Sequence, residues 1–377
     1  MSKFAVEVRS IGALGVHHNA DKLEIAHLNG LTYQFVVGKG SFAVNELVAY
    51  FPLDAVIPVG LATAIGLPVK EGKPFRVKSI RLRGMWSEGV LAPLSVIGLD
   101  PKFAEDGLDL TKELGVVKYE PVEFQENIFK GRRPDNLIAL PATVRKYDIE
   151  NLQRYPATAE ALKDVVVVVT EKLEGSHWWA RIDRDGLTVH VGQRNFEIKR
   201  GDENLNVDQL HPFWQLLYQE NLDTFLYWLV RHFPGYDITI RGEAVGMGIQ
   251  GNYYGLKGRE VYLFELELNG DPVPAQTFID IVMLFRNGQK HGGLKIVPVI
   301  NNWNTLGELA TSVNSDLVGE GDNQLANAIV EYAHGRSSIN PAKLREGVVI
   351  KPAINEMYSP EIGRMLIKVR DATYLAQ

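Results

Sequence analysis

Apolar and polar side chains alternate from Phe4 to Ile11, the period-two signature of a strand with one face buried. Leu31 to Val37 and Leu47 to Phe51 are rich in β-forming residues, and Gly30, Gly38 and Gly40 punctuate them. From Phe75 to Leu82 apolar and basic residues take turns, which predicts a half-buried strand whose outer face carries Arg76, Lys78 and Arg81, with Arg83 just beyond. One helical turn is expected at Asp21 to Ala26. Many short strands between Gly and Pro turns predict a small β-barrel over residues 1–100.

Residues 101–160 read differently. Pro101, Pro121, Pro134, Pro141 and Pro156 interrupt charged clusters, one of them Lys130, Arg132 and Arg133, a solvated loop. This is the pattern of a connector with short helices, the last over Asp148 to Arg154 with Gln153 on a solvated face. From 161 to 377 the texture changes again. Val165 to Val169 is an unbroken β-branched run, as in a strand covered on both faces. His177 to Ile182 and Leu187 to Gly192 flank Asp183-Arg184-Asp185-Gly186 and read as a hairpin, with one of Trp178 and Trp179 in the core and the other half-exposed. The apolar spacing of Asp208 to Phe233 predicts two helices, and Asn323 to Ala333 another. Ile238 to Gly242, Val261 to Leu268, Gly347 to Lys351 and Met365 to Val369 read as strands. The fold class expected is α+β, with mainly antiparallel sheets and flanking helices in the C-terminal region.

Composition narrows the chemistry. The 377 residues suggest two or three domains at about 150 residues each. Absence of cysteine excludes disulfides, thiolate–zinc sites and cysteine nucleophiles, and fits the cytoplasm or another reducing intracellular compartment. A net charge of -6 argues against a polybasic binder but leaves room for a local basic groove. No run approaches the ~20 apolar residues of a membrane span, and the N-terminus lacks a signal-peptide core. His17 and His18 have no second ligand near them in sequence and read as turn residues.

The central feature is Thr170-Glu171-Lys172-Leu173-Glu174-Gly175. Lysine is a poor nucleophile at its free pKa of about 10.4, but placement at a buried strand end, among cations or a metal, frees its lone pair. Glu174 is set to hold a divalent ion or a ribose hydroxyl, and Gly175 lets backbone pass close to a ligand. By itself Lys-x-Glu-Gly is more often a solvated turn. Further pieces follow in order: Gly192-Gln193-Arg194 with an arginine suited to phosphate, Ile240-Arg241-Gly242-Glu243, the aromatic-rich Val261 to Leu268, Arg345-Glu346-Gly347 opening a strand that reaches Lys351, and Met365 to Arg370, with Lys368 and Arg370 on one strand face.

This series resembles the covalent nucleotidyltransferases: ATP-dependent DNA ligases, RNA ligases and mRNA capping enzymes. Lys172 resembles their motif I nucleophile, Arg194 motif Ia, Glu243 motif III, Phe264 motif IIIa, Glu346 and Lys351 motif IV, and Lys368 with Arg370 motif V. The usual motif V has two lysines, and here the second is arginine. Seven residues follow Arg370, leaving no room for the C-terminal OB-fold of DNA ligases and capping enzymes. His18 to Ala26, Val48 to Phe51, Arg76 to Gly84 and Ser87 to Leu91 are instead similar to the N-terminal OB module of one group of RNA ligases, with a nucleotidyltransferase (ATP-grasp-like ligase) domain after it.

The resemblance implies an ATP-dependent RNA ligase that joins RNA 3'-OH and 5'-PO4 ends, at nicks, as a monomer. Lys172 would take AMP from ATP, pass it to the RNA 5'-phosphate, and release it when the 3'-hydroxyl attacks. It implies charge neutralisation by Lys351, Lys368 and Arg370, Mg²⁺ or Mn²⁺ on Glu174, Glu243 and Glu346, adenine stacking by Phe264, Glu171 at the adenine edge, and Arg194 on a ribose or RNA phosphate. Arg76, Lys78, Arg81 and Arg83 form a candidate RNA-phosphate track. The alternatives are a DNA ligase of the same superfamily and a nucleic-acid-binding protein with an inactive nucleotidyltransferase domain.

Overall fold

The computed structural model describes residues 4–375 except 71, 120–135, 187, 203, 289–292 and 314–322. Lys130, Arg132 and Arg133 therefore lie outside the described residues. No helix is long and apolar enough to cross a membrane among the described residues.

The N-terminal strands Glu7–Val16, Leu23–Leu28, Gln34–Gly38, Leu47–Phe51 and Val90–Pro93 make one antiparallel sheet. It curls into a half-barrel, continued by Val117–Lys118, Ala55–Ile57 and Phe75–Arg76. Two apolar clusters fill it, one around Val8, Phe51 and Ile57, the other around Ile11, Phe35 and Tyr50. The helical turn expected at Asp21 to Ala26 is instead the strand Leu23–Leu28, pairing with Glu7–Val16 on one side and Gln34–Gly38 on the other. Six residues do not sustain a lone helix in water, and two ladders of hydrogen bonds decide the matter. The strand expected from Phe75 to Leu82 is broken. Phe75–Arg76 pairs with Ala55–Ile57, whereas Ile80–Leu82 forms its own hairpin with Met85–Ser87.

Beyond the half-barrel, a pair of sheets face each other across a cleft. The larger includes Phe196–Ile198, Val189–Gln193, Ser176–Ile182, Ile238–Gly246 and Arg259–Leu268; the smaller has the order Glu150–Asn151, Ile367–Arg370, Gly347–Pro352, Val167–Lys172, Val299–Asn301. The β-branched run does form a buried strand. Helices Pro212–Gln219, Leu222–His232 and Ala275–Gly288 cover the larger sheet, while Ala157–Leu162, Leu306–Thr311 and Gln324–Tyr332 cover the smaller. Trp178 and Trp179 are both fully buried, not one of each kind. Trp178 donates its indole N–H to the Phe213 carbonyl beneath helix Pro212–Gln219. Trp179 lies on the other face over Gly192, where any Cβ would sit 2.2 Å from its ring, and donates to the Gln193 carbonyl.

The helix expected at Asp148 to Arg154 is also absent. Glu150–Asn151 pairs in parallel with Ile367–Arg370, and Leu152–Arg154 is one 3₁₀ turn. Gln153 is buried, not solvated, and donates to Glu88 at 3.0 Å. With Asn151 to Tyr33 and Arg154 to Glu7, it ties this segment to the half-barrel.

Candidate active site

Strand register places the chemistry. Across three neighbouring antiparallel strands, Lys172 is level with Gly347 and Arg370, Thr170 with Val349 and Lys368, and Val168 with Lys351. Cross-strand partners share a face and side chains alternate. Lys172, Lys351, Lys368 and Arg370 therefore all rise from one side of one sheet. The opposite side, with Val167, Val169, Val348, Ile350, Ile367 and Val369, is apolar and packs under the helices. Gly347 makes the tight row possible: at φ +148 its Cβ would lie 1.9 Å from the Val369 carbonyl oxygen.

Lys172 Nζ contacts Glu346 Oε1 at 2.5 Å, and Arg370 Nε approaches the same oxygen at 3.6 Å. Arg370 Nη1 also donates to Asp54 Oδ2 of the half-barrel at 3.2 Å. The charged groups that act most strongly on Lys368 are cations. Burial pushes its pKa well below the usual lysine value, with Arg370, Lys172, Lys118 and Arg194 adding to the effect. Such an excess of positive charge invites an anion.

Glu174 follows one turn after the nucleophile strand. Its N–H donates to the Tyr254 hydroxyl, and its carboxylate accepts from the Tyr374 hydroxyl. Gly175 is required here, since a Cβ would meet the Ala244 carbonyl at 2.4 Å and Glu243 Cγ at 2.8 Å. Burial pushes the Glu243 carboxyl up to about 8; Lys172 pulls against it, and the Glu346 and Glu174 charges add to it. Burial likewise raises Glu174, with Glu346 the next cause.

The facing sheet supplies an aromatic wall. Arg241 pairs with Glu265 and Gly242 with Leu263, so Phe264 is the extra residue of a β-bulge. The bulge takes the Phe264 carbonyl out of the ladder, and Lys351 Nζ donates to it at 2.7 Å. The Phe264 ring lies 5.1 Å from Tyr147 and 5.6 Å from His177, centre to centre. Beneath them Glu265 accepts from Lys351 at 3.2 Å and from Arg364 at 2.7 Å. Burial opposes ionisation of Glu265, but Lys351 and Arg364 outweigh it and hold its pKa down.

These groups line one cleft of about 690 Å³, inside the range of roughly 300–1,000 Å³ typical of ligand sites. Glu171 borders it, one carboxylate oxygen accepting from the Ser338 N–H at 2.7 Å and the other buried without a hydrogen-bond partner. Arg194 borders it, paired with Asp148. Arg76 and Lys78 reach it from the half-barrel, whereas Arg81 and Arg83 lie on the Ile80–Ser87 hairpin, Arg81 stacked over Trp86 at 5.5 Å. The broken strand thus divides the expected basic track into two pairs. His17 is a buried turn residue whose ring bonds the Leu82 carbonyl. Sequence reasoning passed over Asp54, Tyr147, Asp148, Tyr254, Glu265 and Tyr374. Only Glu265 carried a local signal, as the acid directly after Phe264.

Two buried guanidinium nitrogens, Arg194 Nε and Arg370 Nε, have no hydrogen-bond acceptor. Both suit phosphate oxygens. No group of three or more His, Cys, Asp or Glu side chains that could cage a metal exists among the described residues. Glu174, Glu243 and Glu346 still fit a hard divalent cation held through its waters: they offer oxygen donors only, and the three lie close enough for the charges of Glu346 and Glu174 to raise a neighbour's pKa.

A family model described as RNA ligase matches residues 165–370, more than half the chain. The chain belongs to the RNA ligase family. A second model, described as an OB-fold domain, matches residues 5–94 of this RNA ligase. No curated protein matches the sequence. Among solved structures it is similar to a mutant of the Naegleria gruberi RNA ligase with ATP and Mn, at 23% identity and a TM-score of 0.74, over 99% of this chain and 98% of that one. A second mutant of that ligase, with AMP and Mn, gives the same values, and the ligase with PPi gives 23% identity and a TM-score of 0.71 over the same shares. At this identity the likeness is one of fold, and it extends through the half-barrel as well as the ligase domain.

Proposed function

We propose that this RNA ligase is ATP-dependent and seals RNA 3'-OH and 5'-PO4 ends through AMP carried on Lys172. The observation that carries the reading is the single sheet face on which Lys172 stands among Lys351, Lys368 and Arg370, with Glu346 in contact with its amine. The Naegleria relatives with ATP, AMP and Mn support the choice of nucleotide and metal.

An ammonium cannot attack phosphorus, so Lys172 has to lose a proton, and Glu346 is the acceptor in contact with it. The freed lone pair forms the N–P bond at the α-phosphorus as the bond to pyrophosphate breaks. Lys351, Lys368, Arg370 and Arg194 balance the phosphate charge, which is most of what phosphoryl transfer asks of a protein. A divalent ion beside Glu174, Glu243 and Glu346 would polarise the phosphate. Phe264 and Tyr147 offer the adenine its stacking surface. AMP then moves to the RNA 5'-phosphate as a 5'-5' pyrophosphate, and the 3'-hydroxyl displaces it. The hairpin residues Arg81 and Arg83 lie outside the cleft where the RNA backbone would run, and a nicked duplex acted on by a monomer is the substrate arrangement we favour.

The test is covalent labelling with α-labelled ATP and Mg²⁺ or Mn²⁺, read on a denaturing gel. The protein should carry label, and Lys172→Ala should carry none. No label with either metal, or label surviving in Lys172→Ala, refutes the assignment. A nick series with RNA or DNA on each side then reads the sugar preference, and sealing indifferent to the 3'-OH strand would count against RNA.

A further inference from the structure

We propose that Asp54, a residue of the N-terminal half-barrel, is a positioning residue for adenylylation: it holds the Arg370 guanidinium in place beside Lys172, and this second carboxylate is why arginine stands where motif V usually has a lysine. The inference rests on Lys172 being the adenylylated residue.

Asp54 occupies a left-handed turn at φ +67 immediately before Ala55–Ile57. Its N–H donates to the Val77 carbonyl at 2.9 Å, and its own carbonyl accepts from the Tyr119 N–H at 2.7 Å, so its backbone is fixed on both sides. Oδ1 accepts from Arg76 Nη2 at 2.7 Å and Nε at 3.1 Å; Oδ2 accepts from Arg370 Nη1 at 3.2 Å. Arg76 is itself pinned, its guanidinium 3.4 Å over the Tyr119 ring. The charges thus alternate Arg76, Asp54, Arg370, Glu346, Lys172 from the half-barrel to the nucleophile.

The arrangement needs a fork. A guanidinium presents donors in several fixed directions and can face two carboxylates at once, whereas an ammonium is one compact point of charge. Arg370 does this: Nη1 donates to Asp54 at 3.2 Å, and buried Nε faces Glu346 Oε1 at 3.6 Å, short of a hydrogen bond. Without Asp54, Arg370 would close on Glu346 and occupy the oxygen that Lys172 contacts. Asp54 therefore keeps Glu346 for the nucleophile and holds Arg370 Nε short of a hydrogen bond to it, where a phosphate oxygen can still be met.

The experiment uses the full chain with Asp54→Asn, Asp54→Glu, Arg370→Lys and the Asp54→Asn/Arg370→Lys double substitution, followed by single-turnover labelling over a range of ATP concentrations and by thermal melting. Asp54→Asn should lower the labelling rate at saturating ATP about 10-fold or more, with half-saturating ATP changed less than about 3-fold. Asp54→Glu should recover most of the rate. The double variant should be within about 2-fold of Arg370→Lys alone, because Asp54 acts only through the fork. Labelling of Asp54→Asn within about 2-fold of wild type, or effects of the two substitutions that multiply, overturns the proposal. So does a fall in melting temperature that Asp54→Glu repairs without restoring the rate. Unlabelled wild type would instead sink the assignment of Lys172, so the two failures are distinguishable.

Discussion

Glu265 is the only acid paired with Lys351 among the described residues, and it also pairs with Arg364. Its side chain is 1% exposed. Glu265→Gln keeps the shape and removes the charge. At an effective dielectric constant of about 20, the attractions at 3.2 and 2.7 Å are each about 5–6 kcal/mol. The variant no longer desolvates a carboxylate, which offsets some of this, so the net loss expected for breaking a buried pair is about 3–5 kcal/mol. In a domain of this size that is a fall in melting temperature of about 6–20 °C. Lys351→Met is the control. It leaves Glu265 with Arg364, which also has Glu356 at 2.5 Å, so its melting temperature should fall less than half as far. Both variants should lose covalent labelling, since Lys351 either disappears or loses the acid that most opposes the effect of burial on its charge. Calorimetry and labelling of the two proteins check the pair. A Glu265→Gln protein melting within about 2 °C of wild type, or a less stable Lys351→Met, would refute the reasoning.

The buried Glu243 predicts a pH effect. Its carboxyl is at about 8 in the folded protein against an ordinary 4.5, so the folded form favours the proton. That contribution to stability is complete below about 4.5 and disappears as pH rises through about 8. Urea melts from pH 5 to 9 should show a decline for wild type that flattens in Glu243→Gln; parallel curves would exclude it. Tyr374→Phe removes the hydroxyl that fixes Glu174, a charge-assisted bond worth about 1.5–3 kcal/mol, and should raise the Mn²⁺ concentration for half-maximal labelling about 10-fold. An unchanged metal titration would show that Glu174 needs no such support.

What the sequence disclosed follows the range of the forces involved. Val165 to Val169, the two helices of Asp208 to Phe233 and the hairpin around Asp183 to Gly186 are set by local pattern, and all are present. Helix Ala275–Gly288 had an equally local signal in Ala275, Phe278, Ile279, Val282 and Phe285, and was overlooked. Leu23–Leu28 and Glu150–Asn151 could not be read from neighbours, because partners elsewhere in the chain decide both. Lys172, Lys351, Lys368 and Arg370 were legible through the resemblance of their motifs. The groups that orient them were not: Asp54, Tyr147 and Tyr374 sit in unremarkable stretches and become visible only through register and distance. The bulge at Phe264 is of the same kind, since it is a property of a ladder and not of a residue.

The parallel pairing of Ile367–Arg370 with Glu150–Asn151 bears on how the protein is made. A ribosome delivers Lys172 long before this strand, which must slip between Glu150–Asn151, made long before it, and Gly347–Pro352, made just ahead of it. Until it arrives, half of the nucleophile's cationic surroundings do not exist, and Asp54 of the half-barrel lacks its Arg370 partner. Nascent or stalled chains should be inert toward nucleotide, so that no AMP is committed to an enzyme still unable to join RNA.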